Sequence, residues 1–421
     1  MPSWGPWRSR PFRYVWVGES LSMVGDASYQ IVFVWLVLSI SRSPAVLAAV
    51  VVGTSVPRAV LLLLGGAVTD RVSARTVMLS SHLVRGVALV ILTALALTSG
   101  LRVWELIGVL FGVADAFFGP ASGSILPSLV QESDLPRANA LVGVSEQAAS
   151  FIGPVLGGAL LAATSSSVAL ALNAVTFFLA ALTILTAPRT DRSPAHRTSV
   201  AALLSEMRGG ISYATRNVEV RVVVLLVSAA TLSYSGLFAV GLPTLARGTS
   251  NGSLALGVLV SAWGLGQLIG AIGASITGLP RRWGLLIVAM TLAEGSCFAV
   301  LGFVPHYLLA AALLGALGIG VAYSTDVALP TFIQTRTPRS LLGRVINSVI
   351  ALPRYALEPL SVAAMGALAL LGVRWTFTTA AIPMLIAGIV LASSRTARHL
   401  SADNPSPARG TAHDRAPSTN T

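Results

Sequence analysis

Two similar hexapeptides decide the architecture: "LPSLVQ" at Leu126–Gln131 and "LPTFIQ" at Leu329–Gln334, which lies 203 residues downstream. Further residues recur at nearly the same offset: Pro136–Arg137 matches Pro338–Arg339, and Pro154 matches Pro359. The offset varies only between 202 and 205, as it would if two related halves had gained or lost a few loop residues. The sequence therefore predicts an internal duplication.

Composition places both halves in a lipid bilayer. Hydrophobic residues make up 54% of the 421 residues, charged residues only 10%, and the mean hydropathy is +0.78. A soluble domain carries roughly 25% charged residues, so this chain could not cover its surface in water. The net charge of +12 is not concentrated in a dense basic patch interleaved with aromatics, and nucleic-acid binding is not predicted.

Long apolar runs set the number of spans. Each is near or above the ~20 residues that a helix needs to cross a bilayer, and each is continuous, unlike the alternating ~10-residue strands of a barrel. We therefore predict an all-α membrane protein with twelve transmembrane helices. The runs lie at 14–40, 45–67, 76–99, 103–127, 139–163, 167–187, 220–246, 253–278, 283–304, 306–333, 343–372 and 375–394.

Arginine predicts the orientation. All 28 basic residues are Arg, and with both termini in the cytoplasm 21 of them fall on the cytoplasmic side, as the positive-inside rule expects. Because each repeat has six spans, both enter the membrane in the same direction, and an axis along the membrane normal relates them. A monomer in the bacterial plasma (inner) membrane is expected.

The predicted organisation has four parts. A six-helix half (1–187) is followed by a cytoplasmic linker (188–219), a second six-helix half (220–395) and a disordered cytoplasmic tail (396–421). Within the linker, apolar residues recur at helical spacing over 199–216. They predict an amphipathic helix, either on the membrane face or packed on the ends of the spans.

Missing motifs exclude other energy sources and enzymatic activity. A nucleotide-binding P-loop needs a Lys, and this chain contains none. The metalloprotease motif HExxH is also absent, and no metal, cofactor or enzyme activity is predicted. An ion gradient remains, and protons are the simplest coupling ion because carboxylates occur within the spans.

The loop between spans two and three carries a family resemblance. The stretch "GGAVTDRVSAR" (Gly65–Arg75) resembles the signature of the major facilitator superfamily, with matches at Gly66, Asp70, Arg71 and Arg75. Ser73 and Ala74 depart from the usual glycine and arginine. The resemblance implies that Asp70 and the arginines latch the two halves together on the cytoplasmic side. A plain positive-inside loop with one acid is the alternative.

That resemblance gives a first testable prediction. Asp70→Ala should impair transport and leave membrane insertion intact, because the implied latch lies outside the bilayer. Transport rates and membrane content of the two proteins check it. A wild-type transport rate in the variant would show that the motif has no latch function in this chain.

A second motif implies export. "GPVLGG" (Gly153–Gly158), with Gly153, Pro154, Gly157 and Gly158, resembles the antiporter motif of span five in exporters of this superfamily. Together with "LPSLVQESDLPRANAL" and "VGDASYQIVFVWLVL", it resembles the drug:proton antiporter branch near the macrolide and enterobactin exporters. Many of those proteins have an Arg early in span four; here "WELIGVLFGVADAFFGP" has none, so other residues must govern proton movement.

Carboxylates in the spans are the candidates for proton coupling, since ionisable groups at membrane depth are costly and usually mark a pathway or a pair. The family resemblance implies that spans one, four, seven and ten line the cavity. It favours Asp26, Asp115 and Asp326, and it assigns Arg85 and Glu294, on outer spans, a structural role.

Depth predicts a partner for Asp26. Asp26 and Arg58 each lie about 18 Å from the cytoplasmic end of their span at the helical rise per residue, so we expect them to pair, either permanently or as a switch. Tyr29 and Phe33 extend the face of Asp26 with aromatic surface for an apolar substrate. Arg354 and Glu358, spaced i,i+4, are expected to pair with each other.

These features predict a proton-driven secondary exporter of small amphipathic molecules such as drugs, antibiotics, secondary metabolites or siderophores. Its expected partners are the small-molecule substrate, protons and the lipid bilayer. An uptake permease or facilitator is the alternative within transport. A membrane receptor or membrane-bound enzyme is the alternative from another class, and it predicts a catalytic cluster or a soluble domain.

Overall fold

A computed structural model of the chain describes residues 5–69, 72–95, 101–188, 212, 216–278, 283–324, 329 and 352–394, and this part is helical, with no strand. Its long helices are α1 (Arg10–Ser41), α2 (Pro44–Thr69), α3 (Ala74–Leu95), α4 (Leu101–Leu129), α5 (Leu135–Ala163), α6 (Ser166–Ile184), α7 (Val218–Gly236), α8 (Gly252–Thr277), α9 (Trp283–Leu301), α10 (Tyr307–Val321), α11 (Leu352–Leu368) and α12 (Val373–Ser393). A π-helical turn (Leu237–Gly241) and a short helix (Leu242–Arg247) prolong α7.

Local chemistry sets the helix ends. The hydroxyl of Ser9 accepts the backbone N–H of Phe12 at 3.3 Å and caps the start of α1, where a proline occupies the first turn. Arg42 adopts a left-handed conformation (φ 53°) and ends α1. Ser165 caps α6 in the same way as Ser9 caps α1.

Eleven helical segments in the described part are long and apolar enough to cross a membrane. They coincide with eleven of the twelve predicted spans. The helix that does not qualify is α5, whose 29 residues include the polar run Ser145, Glu146 and Gln147. Polar and small residues lower the mean hydropathy of α5. Such residues suit a helix that packs against helices of both halves, as α5 does, since it does not face lipid alone.

The described helices pack into two groups, and the largest contacts between the groups involve four helices. In the first half α1 packs on α5 and α6, α3 on α4 and α6, and α2 on α4. In the second half α8 packs on α10, α9 on α12, and α7 on α11 and α12. The two groups meet where α5 packs on α8 and α2 packs on α11.

The contacts between the halves cluster toward one end of the bundle. At that end the guanidinium of Arg247 donates to the Arg42 carbonyl at 2.8 Å, and the indole of Trp35 packs against Gly252. Ala48 of α2 packs against Gly366 of α11. All these residues lie at or near the α1–α2, α7–α8 and α11–α12 connections, so the halves are closed at this end.

Several predicted features lie outside the described residues: Asp70, Arg71 and Asp326, most of the linker with its amphipathic helix, and the tail 396–421. The side of the membrane on which the termini lie remains a prediction.

Candidate functional site

Asp26 lies at the middle of α1, and its partner is Arg85 at the middle of α3. The Arg85 Nη1 atom donates to Asp26 Oδ2 at 3.0 Å. The Arg85 side chain is 1% exposed, whereas that of Asp26 is 35% exposed. The pair therefore has a buried cationic side and an accessible acidic side.

Arg85 is held by contacts that do not depend on Asp26. Its second terminal nitrogen donates to Ser81 Oγ at 3.1 Å, and Ser81 Oγ in turn donates to the Ala114 carbonyl of α4 at 2.9 Å. The guanidinium carbon lies 4.5 Å from the centre of the Phe118 ring and 5.0 Å from that of Phe177. Cation–π contacts of this kind stabilise a desolvated guanidinium.

The predicted pair between Asp26 and Arg58 is therefore wrong. Arg58 of α2 instead pairs with Asp115 of α4, with 2.9 Å from Nε to Oδ2. The reason is helix packing: α2 lies directly on α4, where an added Cβ at Gly112 would come within 2.6 Å of the Thr54 carbonyl. Counting residues along the spans predicts the depth of Arg58 in the membrane, but it does not predict that Arg58 faces α4 and not α1.

The structural role expected for Arg85 on the outer span α3 stays a prediction, and the structure shows that its side chain faces α1. The exposed face of α3 carries Leu83, Val84, Val87, Val90 and Ile91, and Arg85 points the other way, to α1. An outer helix still has an inner face, and Ser81, His82 and Arg85 lie there.

A second buried pair was not predicted. His82 Nε2 lies 2.8 Å from Glu19 Oε1, with the His82 side chain fully buried. A signal for both pairs exists in the sequence. Glu19 and Asp26 are seven residues apart and share one face of α1, while His82 and Arg85 are three apart and share one face of α3. Two acids on one helix thus face two bases on another.

Three further predicted residues are placed differently from expectation. Tyr29 and Phe33 are buried in the core of the first half, where Tyr29 stacks on Phe111 with 4.2 Å between ring centres, so they form no open aromatic surface. Glu358 accepts a hydrogen bond from Ser55 Oγ of α2 at 3.4 Å. No ion pair joins it to Arg354 in the described residues, because Glu358 faces α2 and Arg354 is exposed.

The glycine motif of α5 lies between the two halves. An added Cβ at Gly153 would come within 2.8 Å of the Val24 carbonyl, and one at Gly157 within 2.6 Å of the Ser28 carbonyl, so both pack on the α1 turns that bracket Asp26. On its other side, Gly158 would come within 2.5 Å of the Ser253 carbonyl of α8.

Pro154 belongs to the same contact between α5 and α8. An added Cβ at Gly257 of α8 would come within 2.5 Å of the Pro154 carbonyl. Small residues of this kind let helix backbones approach closely, and here they connect α1 to α8.

The loop motif is only partly described. Gly66 lies in the last turns of α2, and Arg75 lies at the start of α3. The Arg75 guanidinium donates to the Leu185 carbonyl at the end of α6 at 2.7 Å, a contact within the first half. No cluster of three or more His, Cys, Asp or Glu that could bind a metal occurs among the described residues.

Known transporters resemble this chain in sequence over most of its length. The family model of the transmembrane secretion effectors matches residues 1–414. The multidrug efflux pump Tap of Mycolicibacterium fortuitum is 27% identical over 380 residues, covering 87% of this chain and 91% of Tap. The enterobactin exporter EntS of Shigella boydii serotype 18 is 28% identical over 289 residues, covering 68% of this chain and 67% of EntS.

Solved structures share the fold at low sequence identity. The POT family transporter PepTSo superposes with a TM-score of 0.71 at 13% identity, covering 93% of this chain and 98% of that one. The nucleoside transporter NupG gives 0.66 at 13% identity, covering 91% and 98%. The fold shared with these transporters is consistent with the family model that matches the sequence. The chain therefore belongs to the transmembrane secretion effector family, a family of major facilitator superfamily transporters.

Proposed function

We propose that this transporter is a proton-coupled exporter of small amphipathic molecules, and that Asp26 carries the proton. The observation that carries the proposal is the asymmetry of the Asp26–Arg85 pair, with its accessible carboxylate and its independently anchored cation. The relatives support export, since one is a multidrug efflux pump and the other exports enterobactin.

The anchored arginine gives Asp26 two states. When Asp26 is ionised, its charge is balanced by Arg85 at 3.0 Å. When Asp26 takes a proton, that attraction is lost, but Arg85 keeps its hydrogen bond to Ser81 and its cation–π contacts with the two phenylalanine rings. The pair can therefore open and close without moving the cation, so one proton changes the charge at mid-membrane by one unit.

The glycines of α5 supply a route from this charge to the transport movement. Gly153 and Gly157 contact the turns of α1 on both sides of Asp26, and Gly158 contacts α8 of the other half. A shift of α1 when Asp26 changes its protonation state would alter how α5 packs on α8. Rocking of the halves about this contact would expose the site to each side in turn.

The proposed orientation makes this conformation open to the cytoplasm. With both termini cytoplasmic, the closed end formed by Arg42, Trp35, Arg247 and Gly252 is the outer end. Substrate would then enter from the cytoplasm of a bacterial cell across its inner membrane. Antiport would release it outside in exchange for a proton.

A transport assay in cells tests the proposal. Bacteria that express the protein should accumulate less of a transported compound than cells without it, in a screen of fluorescent and antibiotic compounds. A protonophore should erase the difference, because it removes the proton gradient. A difference that persists without the gradient, or a higher accumulation in expressing cells, would contradict proton-coupled export.

A further inference from the structure

The repeat extends to an aromatic motif in the second half. "SYQIVF" at Ser28–Phe33 of α1 recurs as "SYSGLF" at Ser233–Phe238 of α7 and its π-helical turn. The offset is 205 residues, the same as that between Pro154 and Pro359. Tyr234 and Phe238 are thus the counterparts of Tyr29 and Phe33.

The two copies have different surroundings. Tyr29 and Phe33 are buried, whereas Tyr234 and Phe238 are half-buried. At the same offset, Arg58 of α2 corresponds to Trp263 of α8. The first half therefore carries a charge where the second half carries an indole.

Four rings form a cluster in the second half. The Tyr234 ring centre lies 5.2 Å from that of Trp263, 4.9 Å from that of Phe298 and 6.0 Å from that of Phe238. Phe238 and Trp263 are 5.6 Å apart and nearly perpendicular. α7, α8 and α9 each contribute to this aromatic cluster (Tyr234, Phe238, Trp263 and Phe298). Phe298 is fully buried and packs behind Tyr234, whereas the other three rings are half-buried.

Exposed isoleucines show which way the aromatic cluster faces. Leu265, Ile269, Ile272 and Ile276 form the exposed face of α8, the face expected toward lipid. Trp263 lies two residues before Leu265, about 160° away around the helix, and so on the opposite side. Gly264, its neighbour, packs on Ser150 of α5. The half-exposed indole therefore faces the interior between the halves, beside their contact.

A carboxylate lies behind the rings. Glu294 of α9 is 2% exposed, and its Oε2 atom accepts a hydrogen bond from the Tyr234 hydroxyl at 2.8 Å. A phenol that donates to a carboxylate has a more electron-rich ring, which attracts a cation more strongly. In low dielectric the charge of Glu294 acts in the same direction.

We propose that the aromatic cluster, with Glu294 behind it, is the subsite that binds the apolar cationic part of the substrate. Cations over aromatic faces are recognised in this way. Asp26 and Asp115 of the first half are less suited to the task, because each already faces an arginine. The inference rests on the proposed export function and adds the substrate class, a lipophilic organic cation.

Two ions of the same shape test the subsite. Tetraphenylphosphonium and tetraphenylborate have nearly the same shape and opposite charges, and equilibrium binding of each to the purified full chain in detergent needs no gradient. Wild type should prefer the phosphonium. Glu294→Gln, which keeps an acceptor for Tyr234, should reduce that preference about tenfold, and Trp263→Leu should weaken phosphonium binding by a similar factor, as loss of a desolvated cation–π contact predicts.

Trp375→Leu is the matched control, because Trp375 is an aromatic residue of α12 that is 61% exposed; it should bind as wild type. Wild type without a preference for the phosphonium would overturn the inference, as would wild-type selectivity in both Glu294→Gln and Trp263→Leu. The proposed function would survive either result if gradient-driven efflux of other compounds persists. Conversely, loss of proton coupling would leave these binding results unchanged.

Discussion

Asp26→Asn should abolish accumulation of substrate against a gradient and leave exchange of substrate for substrate. In vesicles with an acidic interior, one proton exchanged per substrate supports about tenfold accumulation for each pH unit, since a tenfold ratio corresponds to about 1.4 kcal/mol. Asn cannot take up and release a proton, so the ratio should fall to about one. Uptake of labelled substrate into proteoliposomes, with and without the pH gradient, measures both activities.

Two further variants separate proton coupling from folding. Asp26→Asn leaves the buried charge of Arg85 without its carboxylate, and loss of a hydrogen bond to a charged group costs about 1.5–3 kcal/mol. Adding Arg85→Gln removes both charges and should restore stability in thermal unfolding without restoring coupling. Asp26→Glu, which keeps the acid, should retain part of the uphill transport. If the Asn variant still concentrates substrate, Asp26 is structural, and Asp115 or Asp326 becomes the candidate.

Gly158→Ala should have the second large effect, on the conformational equilibrium. The new methyl group would lie 2.5 Å from the Ser253 carbonyl, and neither backbone can yield without moving α5 from α8. Overpacking costs about 1–3 kcal/mol. This cost arises only in the conformation in which the halves are closed at this end. We expect the equilibrium constant for closing at this end to fall by about 5- to 150-fold relative to wild type, and turnover to fall with it.

Gly143→Ala is the matched control, since it lies on the same helix and a Cβ there would meet nothing within 4 Å. It should transport like wild type. Distances between spin labels on the α1–α2 and α7–α8 connections report the closed end directly. If Gly158→Ala shows the same distances and turnover as Gly143→Ala, the contact between α5 and α8 does not control the movement.

Patterns along the chain predict the fold better than the site. Continuous apolar runs and the repeat of about 203 residues give the spans and the two related groups of helices, because hydropathy and spacing are local or periodic properties. The glycine motif was also informative, since residues without side chains mark close helix contacts. The motif does not reveal which helices are contacted by Gly153, Gly157 and Gly158, because that depends on how the helices pack.

The ion pairs show the same limit. Depth along a helix can be counted in residues, and by that count Arg58 and Asp26 were at one level. The partner of each depends on rotation about the helix axis and on neighbour order, which place Arg85 beside Asp26 and Asp115 beside Arg58. The i,i+7 acids of α1 and the i,i+3 bases of α3 would have favoured the correct pairing.

The central claim, that substrate and proton cross in exchange, is tested most directly by driving the cycle with substrate alone. Vesicles containing the protein and loaded with a transported compound are diluted into weakly buffered medium at equal pH, with the membrane potential clamped, and external pH is followed with a dye. The account predicts that the medium becomes alkaline as substrate leaves wild-type vesicles and stays unchanged with Asp26→Asn. Loss of substrate from wild-type vesicles without alkalinisation would contradict it.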